Sequence, residues 1–462
     1  MNASTDSRIV VVGGGMVGMT AALAAAHHGA DVTLLEKGPE LGGSFRLSRG
    51  LVWTYTDTAT ASELAPHGDP LLHDMLISEI SVRTQWLAEN GVALGEALVM
   101  PHGGSGYAID PPQAIDAMTR SLKALGVEVR TDSPMASLLT EDGVVQGVTV
   151  ALPDGTTEKI GGTVILTTGG FQGNPELVRR YLGLRPENVQ LRANRWSTGD
   201  GLIARQAAGA MTTLGLPHFY GHAVAAPPAS FPPSRFREAS QYYGSDALAI
   251  NLASERFVDE SAGSGEEHVN EALAAQPGGL GFYLLDGRSA EAIGMLDMKA
   301  QVIVERARAM RAPLRHIPEH RGTLRDAGAV WCPGRTTSEH DLHLQRGSAR
   351  GSARLPTSFQ RSLSVRDPPF QAIGVQAAIT FTHGGLAVDE DMRVLSRSGS
   401  STRMNGAVAG PSSLRDTAIP GLFAAGCDVG GFSFDGYVGG LATALVSGAR
   451  AGLSAASLRV PA

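Results

Sequence analysis

Gly13, Gly15 and Gly18 stand at the spacing Gly-x-Gly-x-x-Gly, and Glu36 follows 18 residues after the last of them (36 − 18 = 18). Glycines so spaced let the chain turn tightly, bring bare backbone N–H groups up to a pyrophosphate, and pack the next helix close to its sheet. An acidic side chain about 20 residues further on pairs with ribose hydroxyls. The chemistry these residues suit is therefore the grip on a dinucleotide. Three elements must position them. The run from Arg8 to Val12 reads as a buried parallel strand, the alanine-rich stretch after Gly15 as a helix, and "DVTLLE" as a second strand ending in Glu36. In such a βαβ unit the helix N-terminus faces the phosphates.

Two later segments repeat the strand-to-glycine form: "VILTTGGFQGN" (Val164 to Asn174) and "IPGLFAAGCDVGG" (Ile419 to Gly431). Three such turns spread over the chain suit one long cofactor contacted along its length, FAD, better than a nicotinamide dinucleotide held by a single βαβ unit. A chain of 462 residues exceeds one compact core, so two domains are expected. With 43% hydrophobic and 18% charged residues and 58 glycines it fits a turn-rich α/β protein. The net charge of -7 speaks against nucleic acid as a partner. Two cysteines, Cys332 and Cys427, form neither a disulfide framework nor a metal-ligand spacing. Apolar runs stop short of the roughly 20 residues a membrane span needs, so no membrane partner is expected. The start "MNASTDSR" has no signal-peptide pattern, which makes the cytoplasm the expected location.

Four further segments carry a family likeness: "STGDGLIARQAAGA" (Ser197 to Ala210), "ERFVDE" (Glu255 to Glu260), "THGGLAVDEDMRVL" (Thr382 to Leu395) and "GYVGGLATALVSGARAG" (Gly436 to Gly452). In order and spacing they resemble the flavoprotein family of soluble fumarate reductases, succinate dehydrogenase flavoprotein subunits and 3-ketosteroid dehydrogenases. The resemblance covers most of the chain. It implies an α/β fold: a Rossmann-like FAD-binding domain of the glutathione reductase type from residues 1–220 and 372–462, with an inserted α+β capping domain, 221–371. Substrate would lie between cap and flavin ring, and FAD would be held non-covalently. By motif the resemblance puts Gly13, Gly15, Gly18, Glu36, Gly43 and Ser44 at the ADP half and Thr168, Gly169 and Asp200 at the middle. Gly426, Asp428, Leu441 and Ala442 fall near the ribityl chain and ring, with Met16, Lys37, Ala136 and Gly439 also among the cofactor-binding residues. Gly439 and Gly440 precede a helix whose N-terminus can stabilise negative charge on reduced flavin. The same small residues would also serve plain helix packing.

The chain departs from the fumarate reductases where they grip a dicarboxylate. Tyr437 and Ser264 stand where that family has arginines. A dicarboxylate buried without guanidinium partners pays a desolvation penalty of several kcal/mol per ion, which favours a neutral or singly charged substrate. A tyrosine at position 437 is similar instead to the ketosteroid dehydrogenases. The expected activity is that of an FAD-dependent dehydrogenase or reductase acting on CH–CH bonds. It would desaturate or reduce a C–C bond beside the carbonyl of a largely apolar substrate, such as a cyclic or steroid-like one, by hydride transfer at flavin N5. That chemistry needs a proton acceptor or donor and a hydrogen bond to the carbonyl. The candidates are Tyr437, His222, one of Tyr242 and Tyr243, and His383, each with a plainer role in ring packing, scaffolding or the cap surface. Expected partners are a small-molecule substrate and an unidentified electron acceptor or donor. Two alternatives stay open: a reductase of a small unsaturated acid, and an FAD-binding protein without turnover.

From Arg306 to Arg366 the composition changes, with twelve arginines, four histidines, no lysine and no persistent periodicity. An irregular or mobile segment, or a piece translated from a shifted frame, is expected there. Stacking aromatics for nucleic acid are lacking.

Overall fold

The computed structural model describes residues 8–100, 103–260, 262, 265–286, 294–295, 298–317, 370–396 and 418–458. The chain forms two compact units. One comprises Met1–Leu182, Ala193–Phe219 and Phe381–Ala462, the other Gly183–Arg192 and Tyr220–Thr380.

The first unit is built on a six-stranded sheet. Its order is Arg393–Leu395, Ala418–Ala424, Thr163–Leu166, Arg8–Val12, Asp31–Leu35 and Glu128–Arg130. All neighbours are parallel except the first pair, which is antiparallel. Ile9 to Val12 are buried, as a central parallel strand covered on both faces requires. The expected dinucleotide strand, its helix (Met16–His27) and its second strand form as the sequence indicates.

The C-terminal helix, Gly440–Ser457, packs on the helix Met16–His27. A Cβ at Gly448 would crowd the carbonyl oxygen of Val17, and one at Gly452 would run into that of Ala21. The small residues of this helix thus allow two helix backbones to approach closely, so the packing role anticipated for them is met. Among the described residues of this unit are also two three-stranded antiparallel sheets. In one of them, Met135–Glu141 pairs with Val144–Ala151, and the register slips between Met135 and Ser137, making Ala136 the extra residue of a bulge.

The second unit carries an antiparallel sheet in the order Val224–Ala225, Phe370–Gln376, Leu280–Leu285 and Leu248–Asn251. Leu314–Ile317 also pairs with Phe370–Gln376. Ile250, Phe282, Leu284 and Ala372 form one of its core clusters, and the helices Glu266–Ala274 and Ala300–Ala309 flank the sheet in sequence. The arginine-rich stretch is regular where it is described: it begins inside the helix ending at Ala309 and continues into the strand Leu314–Ile317. These elements are too short for a periodicity to stand out in the sequence. Residues 318–366, with Cys332 among them, and Ser264 lie outside the described residues. Among the described residues no helix is long and apolar enough to cross a membrane, and no cluster of metal-ligating side chains occurs.

Candidate active site

The three glycines at the end of the first strand have different surroundings. Gly13 adopts φ +113°, where a side chain is strained, and a Cβ there would collide with the carbonyl of Thr167. A Cβ on Gly18 would collide with the carbonyl oxygen of Gly13. Gly15 differs: a Cβ there meets nothing within 4 Å. Gly13 and Gly18 are therefore fixed by the protein's own packing, whereas Gly15 borders space. Gly15 is also the N-cap of the helix Met16–His27, with no capping side chain and no acidic residue in the first turn. Backbone N–H groups at that end are available to an anion.

Glu36 is buried beside this turn. Its Oε2 accepts the Gly14 N–H (2.7 Å) and its Oε1 the Gly38 N–H (2.6 Å). Burial raises its pKa, against the lowering effect of those two N–H groups and of Lys37. Each oxygen keeps a lone pair for a further donor such as a ribose hydroxyl. Lys37 and Asp200, both expected at the cofactor, pair with each other at 2.8 Å, and Thr198 bonds both. Ser44 Oγ accepts the N–H of Asn194 (3.1 Å). Ala136 is exposed, and as a bulge residue its backbone falls out of the ladder.

Around the second and third glycine turns, Asp428 accepts both the N–H and the hydroxyl of Thr168, whose Oγ1 in turn accepts the Gly201 N–H (3.0 Å). Burial pushes the Asp428 carboxyl up to about 6. Gly169 and Gly426 adopt positive φ (+91° and +63°), and a Cβ on Gly426 would strike the Val17 side chain. Leu441 is half-buried and Ala442 buried in the first turn of the C-terminal helix. Its N-cap, Gly439, adopts φ +96° against the carbonyl of Trp53. The first N–H of that helix, on Gly440, donates to the Tyr437 hydroxyl at 2.8 Å. The half-buried Tyr437 ring meets Trp53 (5.7 Å) and Phe381 (6.3 Å), and Trp53 meets Tyr55 (5.6 Å).

Gln172 Oε1, Thr382 Oγ1, Thr443 Oγ1 and both ring nitrogens of His383 are buried without a hydrogen-bond partner among the described residues. Gln172 Oε1 and Thr382 Oγ1 flank the same glycine, Gly170. Buried polar atoms are paired in native proteins, so a cluster of orphans beside the glycine turns fits a polar ligand with its own donors and acceptors, as FAD has. His383 is held neutral. Burial, with a contribution from His218, lowers its pKa to about 3. A histidine neutral when folded and protonated when unfolded contributes stability in full above pH 6.5, its unfolded value, and loses it as pH falls toward about 3. We expect the unfolding free energy of the FAD-free protein to carry a His383 contribution that declines by about 1.4 kcal/mol per pH unit in that window. Raised carboxyls such as Asp428 act in the opposite direction, so the check is the difference between wild type and His383→Leu in urea melts from pH 7 to 4. A parallel pair of curves would contradict the assignment.

In the second unit, His222 is buried with both ring nitrogens engaged. Nδ1 makes a short contact with Glu266 Oε2, and Nε2 lies 2.8 Å from the Tyr220 hydroxyl. Glu266 Oε1 accepts the Ala223 N–H (3.1 Å) and the Tyr283 hydroxyl (3.3 Å). Tyr242 packs edge-on to His222 (4.8 Å), and its hydroxyl is 3.4 Å from Arg192. Arg192 is buried, donating also to Ser240 (3.0 Å) and Thr380 (2.6 Å). Tyr243 corrects its expected role. It is 0% exposed, its hydroxyl donates to Gln241 (2.7 Å), and burial and Glu266 raise its pKa well above the usual phenol value. A phenol so enclosed keeps its proton and packs against Tyr283. Sequence reasoning missed Tyr220, Glu266 and Arg192. Tyr220 had a signal, since it stands two residues before His222 in an extended segment and so shares its face. Glu266 and Arg192 reach the cluster only through the tertiary fold.

Comparison with known proteins bears on the whole chain. A family model described as an FAD binding domain matches residues 8–440. A probable fumarate reductase of Shewanella frigidimarina is 26% identical over 98% of this chain and 75% of its own length. A vinyl phenol reductase of Lactiplantibacillus plantarum is 25% identical over 93% of this chain and 91% of its own. Among solved structures, the 3-ketosteroid Δ1-dehydrogenase of Sterolibacterium denitrificans is similar in fold, with a TM-score of 0.70 at 16% identity over 99% of this chain and 100% of that one. The match runs from the first strand to the start of the C-terminal helix, through all three glycine turns. The chain belongs to the FAD binding domain family and is an FAD-dependent oxidoreductase.

Proposed function

We propose that this protein reduces, or in reverse forms, a C=C bond conjugated to a carbonyl or an aromatic ring in a flat, largely apolar substrate. The observation that carries the reading is the aromatic wall of Trp53, Phe381 and Tyr437, with the Tyr437 hydroxyl bonded to the first N–H of the C-terminal helix. Such a wall suits a conjugated neutral group, and one phenol supplies one hydrogen bond to an oxygen that gains charge during reaction. The vinyl phenol reductase and fumarate reductase likenesses favour reduction of a C=C bond. Gly15, the N-terminus of the helix Met16–His27 and Glu36 would hold the ADP half of FAD. Ala136 would meet it through its backbone, and Thr168, Asp428 and the orphaned Gln172, Thr382 and His383 would line the flavin half. When bound, FAD supplies the two electrons as hydride at N5. The protein's part is to orient the alkene, hold its polar end and deliver a proton.

A second reading, reduction of a small unsaturated monocarboxylic acid, is favoured by Arg192, a buried cation whose donors go to three hydroxyls. Anaerobic mixing of the photoreduced protein with a cyclic enone, an aryl alkene, an acrylate-type monoacid and fumarate separates the two. We expect the neutral conjugated acceptors to restore the yellow colour fastest and fumarate slowest. The monoacid leading would favour the second reading, and fumarate leading would overturn both.

A further inference from the structure

We propose that His73 clamps the loop that carries Tyr437 and so sets where the Tyr437 hydroxyl stands during the reaction, an inference that rests on the C=C-reducing reading above. Residues 430–439 join the third glycine turn to the C-terminal helix with no helix or strand of their own. Four of the ten are glycines (Gly430, Gly431, Gly436 and Gly439), and Asp435 adopts φ +59°, a value few side chains tolerate. A segment so composed has little shape of its own. Its shape comes from what holds it, and all of the holding groups named below lie in the first unit.

The far end of the loop is tied to the strand Leu51–Thr54. The Thr54 hydroxyl donates to the Val438 carbonyl (2.7 Å), and Gly439 lies so close to the Trp53 carbonyl that a Cβ would collide with it. The near end is tied to the corner between the helices Thr58–Leu64 and Pro70–Glu89. There the Asp69 N–H donates to the Gly431 carbonyl (2.7 Å), His73 Nε2 donates to the Phe432 carbonyl (2.8 Å), and Gly436 presses on the Leu64 carbonyl. His67 Nδ1 also lies 3.3 Å from Asp435 Oδ2, but those side chains are 63% and 46% exposed, and exposed pairs hold weakly.

His73 is different: it is 0% exposed and shares the buried part of its helix with Leu72, Met75 and Leu76. Burial lowers its pKa, against the Phe432 carbonyl and Asp69, and favours the neutral ring. A carbonyl only accepts, so the ring carries its one hydrogen on Nε2 and turns a bare Nδ1 to the Ser62 hydroxyl (3.4 Å). Gly68 makes the room, since a Cβ there would stand 2.5 Å from His73 Nε2. The Phe432 carbonyl, in irregular backbone, needs a donor that no strand partner supplies, and the imidazole is that donor. Ser433 Oγ accepts the Val438 N–H (3.4 Å) and closes the turn in which Tyr437 lies, so a shift at Phe432 is carried to the phenol. His73 is thus a positioning residue that acts through Tyr437.

His73→Leu removes the donor, and His73→Gln returns an amide N–H near the place of Nε2. The leucine variant should slow reoxidation of the reduced flavin by a conjugated alkene about 10²-fold, the cost of a small misplacement at a reacting centre, and the glutamine variant should recover most of it. In a Tyr437→Phe background His73→Leu should cost at most a few-fold more, because the hydroxyl it positions is gone, whereas a role in general folding costs the same in both backgrounds. In FAD-free protein labelled with fluorotyrosine, the fluorine resonance that Tyr437→Phe deletes should shift or broaden in His73→Leu and return in His73→Gln. If His73→Leu does not fold, Gly68→Ala replaces it: its methyl group displaces the ring from the Phe432 carbonyl, with the same expected losses. An unmoved Tyr437 resonance in the folded variant, an alkene rate equal to that of an active wild type, or equal losses in the two backgrounds overturns the clamp alone. A wild type whose reduced flavin no conjugated alkene reoxidises overturns the C=C-reducing reading, and the fluorine spectra then still decide whether His73 holds the loop.

Discussion

Gly15→Val folds and stays colourless. Gly15 sits at φ -72°, ψ -173°, open to any residue, and a Cβ there meets nothing of the protein. The variant should melt within about 0.5 kcal/mol of FAD-free wild type, as substitutions away from packed features do. If the pyrophosphate of FAD passes through the space that side chain enters, copurifying FAD should fall from stoichiometric to none. Gly18→Val is the contrast: its Cβ would overlap the Gly13 carbonyl, and the expected result is loss of the folded protein itself. Flavin absorbance beside thermal melts separates the two outcomes. Stoichiometric FAD in a folded Gly15→Val protein would falsify the assignment of this turn to the cofactor.

Tyr437→Phe should keep the colour and lose most of the turnover. Phenylalanine preserves the ring contacts with Trp53 and Phe381 but removes the oxygen that accepts the Gly440 N–H. If that hydroxyl stabilises charge on a substrate oxygen, the rate of flavin reoxidation by alkene should drop about 10²- to 10³-fold, the size seen when one preorganised donor is removed. A ring that only packs would cost a few-fold, since shape and area are retained. Stopped-flow traces at saturating acceptor measure the difference, and a rate near wild type would take Tyr437 out of the reaction.

The parts of this protein legible in its sequence are those governed by short-range rules. Gly13, Gly15, Gly18 and Glu36 announce a dinucleotide turn because each answers a steric or hydrogen-bonding demand within one βαβ unit, and the neighbouring strands follow from apolar runs ending in glycine. The polar clusters were illegible for the opposite reason. Lys37 finds Asp200 across 163 positions and His222 finds Glu266 across 44, separations that no local pattern encodes. Tyr243, in a polar stretch after several prolines, reads as a surface residue, yet it is fully buried, with Tyr283 arriving from 40 residues on to pack against its ring (283 − 243 = 40) and its hydroxyl turned back to nearby Gln241.

The central sheet has a consequence for synthesis. Thr163–Leu166 has Arg8–Val12 on one side, but on the other it pairs with Ala418–Ala424, made 252 residues later (418 − 166 = 252). At about 5–20 residues per second, a ribosome leaves that strand without its partner for roughly 10–50 s. During this interval Val164, Ile165 and Leu166, buried in the finished protein, present an apolar strand edge of the kind that recruits foreign strands. The third glycine turn and the C-terminal helix arrive after that same wait. The three glycine turns are therefore brought together late in translation, and a nascent chain stalled inside the second unit would expose an unpaired sheet.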